Sequence, residues 1–348
     1  MYKIFAVTML VVGTIIGAGF ASGREIVTFF GETPPVAVAA IVAALVFVSC
    51  ATFLFVGNKA CADDVGTVNR ALAGRAEPIL SALMLFNSLV SLSAMLAGTD
   101  DLFAEVFPLK PLYSIVLGAL SVIVVARGLN GIMKVNVVIV PLLAAVTIIV
   151  TAMTISVPAP SPFSGLTAYR CLTYVAMNAI LAASVLTTVH GLNKKQIFIS
   201  SALTGAIIGG IVLCIILALD SSRAGSADMP IIEMAKPLGP ALYALGIAAV
   251  AIGIFTTMIS AHLSLTEWLA PLCGGKTFAA ILTAIVAEIV GLIGFRSVVD
   301  IFYPIVGVAG VVYFVACLWY VLPRKKRKTC ADMPPRGGRR KGRIKTAV

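Results

Sequence analysis

Charge is what this 348-residue sequence has least of: Asp, Glu, Lys and Arg make up 12% of it, and 60% is hydrophobic. A water-soluble domain carries about a quarter charged residues, so the composition excludes a soluble globular enzyme. Histidine is rarer still. His190 and His262 stand far apart, without Cys or carboxylate companions at ligand spacing, which argues against a metal centre. The seven cysteines form no CxxC pair and are expected to fill apolar space, not to frame disulfides. The sequence has no P-loop, no HExxH, no Ser/His/Asp set and no facing pair of aspartates. No catalytic residue and no cofactor are therefore expected, and any transport must draw on a gradient.

What is present is apolar sequence in long runs. The net charge of +11 sits almost wholly in residues 324–348, where eleven Lys/Arg face one acid, Asp332. The body before them carries only +1, so the basic character that would suggest nucleic acid belongs to a tail. No nucleic-acid partner is expected. The tail, rich in Pro and Gly, is expected to be disordered and to lie against anionic lipids. The opening MYKIFAVTMLVVGTIIGAGF lacks a small-x-small cleavage site and reads as a retained first span.

Ten segments approach the roughly 20 apolar residues that a hydrocarbon core about 30 Å thick demands. Their limits are near 4–30, 35–57, 79–105, 112–126, 134–157, 166–190, 196–219, 239–268, 278–294 and 298–322. The inner loop from Asn58 to Glu77, of mixed charge, is expected to form a short surface helix. The outer loop 220–238 is too short for a domain. Ten spans put both termini on one side. Twenty of the 26 Lys/Arg fall there, against Lys110, Arg170, Arg223, Lys236 and Arg296 opposite and Arg24 inside the first segment. The excess predicts that both termini are cytoplasmic.

The first segment contains GTIIGAGFASGREI, with glycines at 13, 17, 19 and 23. Each weakens a helix by about 1 kcal/mol relative to Ala, and in lipid an opened backbone is tolerated only where it lines a cavity. Gly13 with Gly17, and Gly19 with Gly23, also spell the close-packing GxxxG pattern. The two pairs are offset by six residues, however, and Arg24 and Glu25 follow at once, so a broken helix is the expectation. Such a break offers N–H groups to a carboxylate and freed carbonyls to a cation. The sixth segment supplies a weaker counterpart at Thr173 to Ala179, where Tyr174 and Asn178 interrupt the run: a second break, a wall of the substrate site, or a hydrogen bond between helices. Unusual first and sixth members suggest two five-helix repeats of inverted topology, residues 1–157 and 166–322, followed by the tail at 323–348.

The run Gly13 to Ile26 resembles the opening span of the YkvI-like amino-acid permease family of bacteria. More distantly, Gly13, Gly17, Gly19 and Phe20 are similar to the first-span pattern of the amino acid, polyamine and organocation transporter superfamily. The resemblance implies an all-α integral membrane protein of LeuT-like fold in a bacterial cell membrane. It implies that a substrate carboxylate meets Gly17, Ala18 and Gly19, with Phe20 and Ser22 beside it and Tyr174 and Asn178 on the facing span. It also implies a sodium ion between the carbonyls of Gly13 and Ile16 and the stretch containing Gly253, Thr256 and Thr257. Read without the family, Thr256 and Thr257 are mid-span hydroxyls of the kind hard cations prefer, or threonines bonded back to their own helix. In some members of the superfamily that the chain resembles, a lysine in the middle of the fifth span replaces the sodium; the fifth segment here holds none, so the resemblance favours sodium over a built-in ammonium and leaves open a proton on a carboxylate.

Intramembrane acids default to functional hypotheses. Glu25 is a candidate gate or proton acceptor, or the partner of Arg24 in outer water. Glu288 is expected to make a helix–helix hydrogen bond. Asp100, Asp101 and Glu105 are expected at a solvated mouth, and His262 as a satisfied bundle histidine, with a pH sensor as the other reading. The whole describes a gradient-driven permease for an amino acid or similar small zwitterion, with sodium or protons as the coupling ion. A transporter-like sensor that binds the same ligand without moving it is the alternative.

Overall fold

The computed structural model describes residues 2–31, 33–62, 65–104, 112–127, 132–155, 163–222 and 224–322. Glu105, Lys110, Arg223 and the basic tail lie outside them, as do the side chains of Ala18 and Lys134. The described residues form helices and no strand. The first span comprises α1 (Tyr2–Ile15), α2 (Ala18–Ser22) and α3 (Arg24–Phe30). Then follow α4 (Pro35–Ala60), the short α5 (Val65–Ala73), α6 (Glu77–Ala104), α7 (Leu112–Ala126) and α8 (Ile132–Ala152). The remainder is α9 (Gly165–Leu186), α10 (Lys194–Ser222), the short α11 (Pro230–Ala235), α12 (Pro240–Leu269), α13 (Lys276–Gly291) and α14 (Phe295–Val321). The ten expected spans are all present as helices, and α5 is the short helix expected in the inner loop. Among the described residues, six segments are by length and composition long and apolar enough to cross a membrane, with three shorter apolar helices beside them.

These helices are apolar nearly all round because lipid and neighbouring helices replace water on every side. Starts are set by local chemistry. Pro35 and Pro240 occupy first-turn positions where a missing N–H costs nothing. Ser164 caps α9 reciprocally with Thr167, each side chain accepting from the other's backbone N–H at 3.3 and 3.4 Å. Successive spans alternate in direction, giving the bundle a near end that carries the N-terminus and a far end. At the near end Asn58 of α4 clasps the loop after α9, donating to the Leu192 carbonyl at 2.7 Å and accepting from its N–H at 3.2 Å. There too α5 is moored by buried Asn69, which accepts from Tyr313 of α14 at 2.9 Å and donates to Ser81 of α6 at 3.2 Å.

The expected break in the sixth span is not found, for α9 runs unbroken through 22 residues. Past Gly165 at its start it contains neither Gly nor Pro, and its mid-span Asn178 and Thr173 side chains bond within the helix. The Asn178 amide donates to the Tyr174 carbonyl at 3.2 Å and the Thr173 hydroxyl to the Tyr169 carbonyl at 3.0 Å. Helix α14 also clamps it. A side chain at Gly307 would meet the Thr173 carbonyl at 2.6 Å, and one at Gly310 would overlap the Ala176 carbonyl. The two glycines let α14 lie directly on the backbone where the break was expected. Cysteine behaves as expected at Cys50, Cys171, Cys214, Cys273 and Cys317, all free thiols, but Cys61 is disulfide-bonded.

Candidate functional site

The first span is interrupted twice. Gly17 is extended (φ −91°, ψ −172°), and its N–H, which in a continuous helix would close on Gly13, turns to the Ile15 carbonyl at 2.9 Å. The Gly13 carbonyl thereby leaves the helical ladder. The second interruption is Gly23, at φ +80°, a left-handed conformation open to glycine at little cost. It turns α3 away from α2, and Ile231 and Pro230 of the α11 segment pack where a side chain would begin.

A cavity of about 30 Å³ opens beside the first break. Its walls are Thr14, Ile15, Gly17 and Gly19 of the first span, Asn87, Ser91 and Met95 of α6, Met177, Asn178 and Leu181 of α9, Thr257 of α12 and Tyr303 of α14, together with Glu25. Thr14, Leu181 and Asn87 carry it from the break toward the near end. On the scale at which one water occupies roughly 10–15 Å³, it has room for about two waters. An amino acid requires the walls to move.

Glu25 is the one acidic wall residue, and of the alternatives read for it the pair with Arg24 in outer water is not found. It is 6% exposed, and its carboxyl folds back over α2, so that a side chain on Gly19 would overlap it. Its Oε2 is buried without a hydrogen-bond partner. Arg24 points the other way, 3% exposed, in an ion pair with Asp300 of α14. Thr28 donates to the other Asp300 oxygen at 2.6 Å, and Arg24 also donates to the carbonyls of Gly225 and Ala227, each at 3.4 Å. Arg296 adds a 3.6 Å contact to Asp300 and a 3.2 Å bond to the Ser226 carbonyl. Thus α3, α14 and the segment before α11 are tied together over the far side of the cavity.

Of the residues expected at the substrate, Gly17, Gly19 and Asn178 line the cavity. Phe20 and Ser22 do not: Phe20 is fully buried, and Ser22 donates to the Gly19 carbonyl at 2.9 Å. Tyr174 is buried against Phe29 and Phe30, ring centroids 5.4 and 5.0 Å away, its hydroxyl without a partner. Of the expected ion ligands, Thr257 comes closest, its hydroxyl 3.0 Å from where a Gly17 side chain would begin. The Thr256 hydroxyl bonds back to the Gly253 carbonyl at 3.1 Å. The sequence reading missed Asn87 and Ser91, whose four-residue spacing in an apolar span was a usable signal, and Tyr303, for which no signal existed.

The other intramembrane polar residues have structural work. Ser114 of α7 donates to Glu288 of α13 at 2.6 Å, the helix–helix bond expected of it. Asp100 does not face a solvated mouth: it is buried and accepts from the Ser114 N–H at 2.9 Å, holding the first turn of α7. His262, fully buried, lies 2.8 Å from the Ser121 hydroxyl and 2.9 Å from the Ala280 carbonyl, joining α12 to α7 and α13 as a satisfied bundle histidine.

A cut first span packed among nine others, with a cavity at the cut, is the LeuT-like arrangement, and solved structures bear this out. MhsT in complex with L-phenylalanine superposes with a TM-score of 0.65 at 14% identity, over 90% of this chain and 87% of that one. Mhp1 in its inward-facing conformation gives 0.61 at 13%, over 91% and 75%. A mutant of the manganese transporter of Eremococcus coleocola gives 0.60 at 12%, over 91% and 77%. The chain is a multi-pass membrane protein with the fold of these transporters. Among curated proteins it is similar over nearly its whole length to the uncharacterized membrane protein YkvI of Bacillus subtilis (strain 168), 28% identical over 335 residues, 90% of this chain and 95% of that one. The resemblance drawn from Gly13 to Ile26 thus extends across the spans. No protein-family model matches the chain.

Proposed function

We propose that the protein is a secondary-active transporter for an amino acid or a similar small zwitterion. It alternates access to a site at the break between α1 and α2. The observation that carries this reading is the cavity itself: open backbone at Gly17, amides and hydroxyls set among apolar walls, and a far side shut by the Arg24–Asp300 pair. An opened backbone inside an apolar bundle is retained where it binds something. The backbone of Gly17, Ala18 and Gly19 receives the substrate carboxylate, and Asn178 faces it.

Sodium is the coupling cation in this reading. Its ligands are the freed Gly13 carbonyl, the Ile16 carbonyl and the Gly253, Thr256 and Thr257 segment, with Thr257 nearest the break. The two halves 1–157 and 166–322 act as inverted repeats in a bacterial cell membrane, both termini cytoplasmic and the basic tail on anionic lipid.

The test is uptake by proteoliposomes under an imposed sodium gradient, screened against the common amino acids. Concentrative uptake of one of them is expected. Saturable binding without flux would make the protein a sensor, and flux indifferent to sodium would remove the ion site at Thr257.

A further inference from the structure

Glu25 has no role in the sodium-coupled scheme, yet its carboxyl occupies the ground that scheme gives to the substrate. It lies over Gly19, inside the cavity, 6% exposed, with Oε2 unpartnered. The charged and titratable groups around it offer no compensation. Arg24, beside it in sequence, is bound to Asp300 and to two carbonyls on the far side. Tyr303 of α14 and Tyr174 of α9 face it with phenols. The walls from α2, α6 and α12 bring backbone, amide, hydroxyl and thioether groups. Helix α10, also packed on α3, carries between residues 196 and 219 a single titratable group, the half-buried thiol of Cys214.

An ionised carboxylate buried without a partner is costly, and two carboxylates in contact do not both ionise. A substrate carboxylate arriving at Gly17–Gly19 meets the one already there. We infer that Glu25 is a built-in stand-in for the substrate's carboxylate, and that it must hold a proton whenever a carboxylate cargo is bound, so that each cargo molecule crosses with one proton. The proton comes from water on the loading side and returns to water on the other side as the cargo leaves. This rests on the cargo reading above and adds to it a charge carrier separate from the sodium ligands.

The test uses purified full-length protein carrying Glu25→Gln, which keeps the shape and removes the proton chemistry. In proteoliposomes given a radiolabelled mixture of the common amino acids, the wild type accumulates label under an inward proton gradient. The variant loses accumulation from that gradient while still exchanging label at a measurable rate, whatever that rate is, and still accumulating some label from a sodium gradient. Glu25→Asp, which restores a carboxyl, recovers proton-driven accumulation. Accumulation by Glu25→Gln from the proton gradient would overturn the inference.

A second measurement needs no cargo: thermal unfolding in detergent at about pH 5 and about pH 8, with and without sodium. The variant should unfold at a higher temperature than the wild type at the alkaline pH, where the carboxyl is driven to ionise, and at the same temperature at the acid one. Equal midpoints at both, or a gap that sodium erases, would overturn it, the latter in favour of a metal cation at Glu25. If the gap is present but neither protein carries label, the cargo reading has failed and the protonation of Glu25 has not.

Discussion

The first and sixth spans are the pair that a two-repeat chain would relate, yet one is cut twice and the other runs uninterrupted for 22 residues. Both hold polar residues in mid-span, so polarity alone does not open a helix. In α9 the Asn178 and Thr173 side chains bond to carbonyls of their own helix and leave the ladder whole. In the first span the interruptions fall at glycines, and each is held from outside: α12 brings Thr257 to Gly17, and the α11 segment packs on Gly23. The same residue type has the opposite effect when it stands on a neighbour, for Gly307 and Gly310 of α14 let that helix press α9 straight.

The strongest way to break this comparison is to remove the clamp. Gly310→Leu drives a side chain into the α9 backbone and is expected to cost about 3 kcal/mol or more, enough to lose folded protein in a detergent melt. The tie on the other span comes next. Breaking a fully buried ion pair costs about 3–5 kcal/mol, but Asp300 is 35% exposed, so Arg24→Gln should cost about 2 kcal/mol. A double-mutant cycle with Asp300→Asn checks it: if the two losses simply add, the pair is not the tie. Gly23→Ala should cost about 1–2 kcal/mol, because its left-handed φ penalises any Cβ. Ala182→Gly in α9, a comparable change in an intact helix, should cost about 1 kcal/mol and leave transport unchanged. Smallest in stability is Asn178→Leu, within about 0.5 kcal/mol because its amide bonds only its own helix, although uptake should fall as the cavity loses a polar wall.

The ten spans were legible because each is a sustained apolar run, and the first break because Gly17 and Gly23 mark it locally. Contacts made across the bundle left no such mark. Arg24 finds Asp300 across 276 positions rather than its neighbour Glu25, and nothing in the sequence ranks those two acids. Asp100 was read as solvent-facing from its place at a span's end, whereas α7 folds back so that its Ser114 N–H needs an acceptor there. The close seat of α14 on the α9 backbone depends on glycines more than 120 positions away in sequence. Within the cavity, Gly17, Gly19, Glu25 and Asn178 stood out by type and depth, whereas the place of Thr257 came chiefly from the family resemblance. Tyr303 was not, since an aromatic in an apolar span looks the same whether it faces lipid or a site.

The shortness of α7 and α13 has a consequence for the membrane itself. Packed side by side, 15 and 16 residues long, they reach only about 23 Å at 1.5 Å per residue, against a hydrocarbon thickness of about 30 Å. Their outward residues, Ile115, Leu120 and Ile123 on one and Phe278, Ile285 and Ile289 on the other, are apolar and exposed. Lipid beside this flank is expected to thin to match them, whereas the longer helices elsewhere suit a bilayer of ordinary depth. The protein therefore imposes a lopsided collar on its surroundings, and acyl-chain length becomes a variable that acts on one side of the bundle.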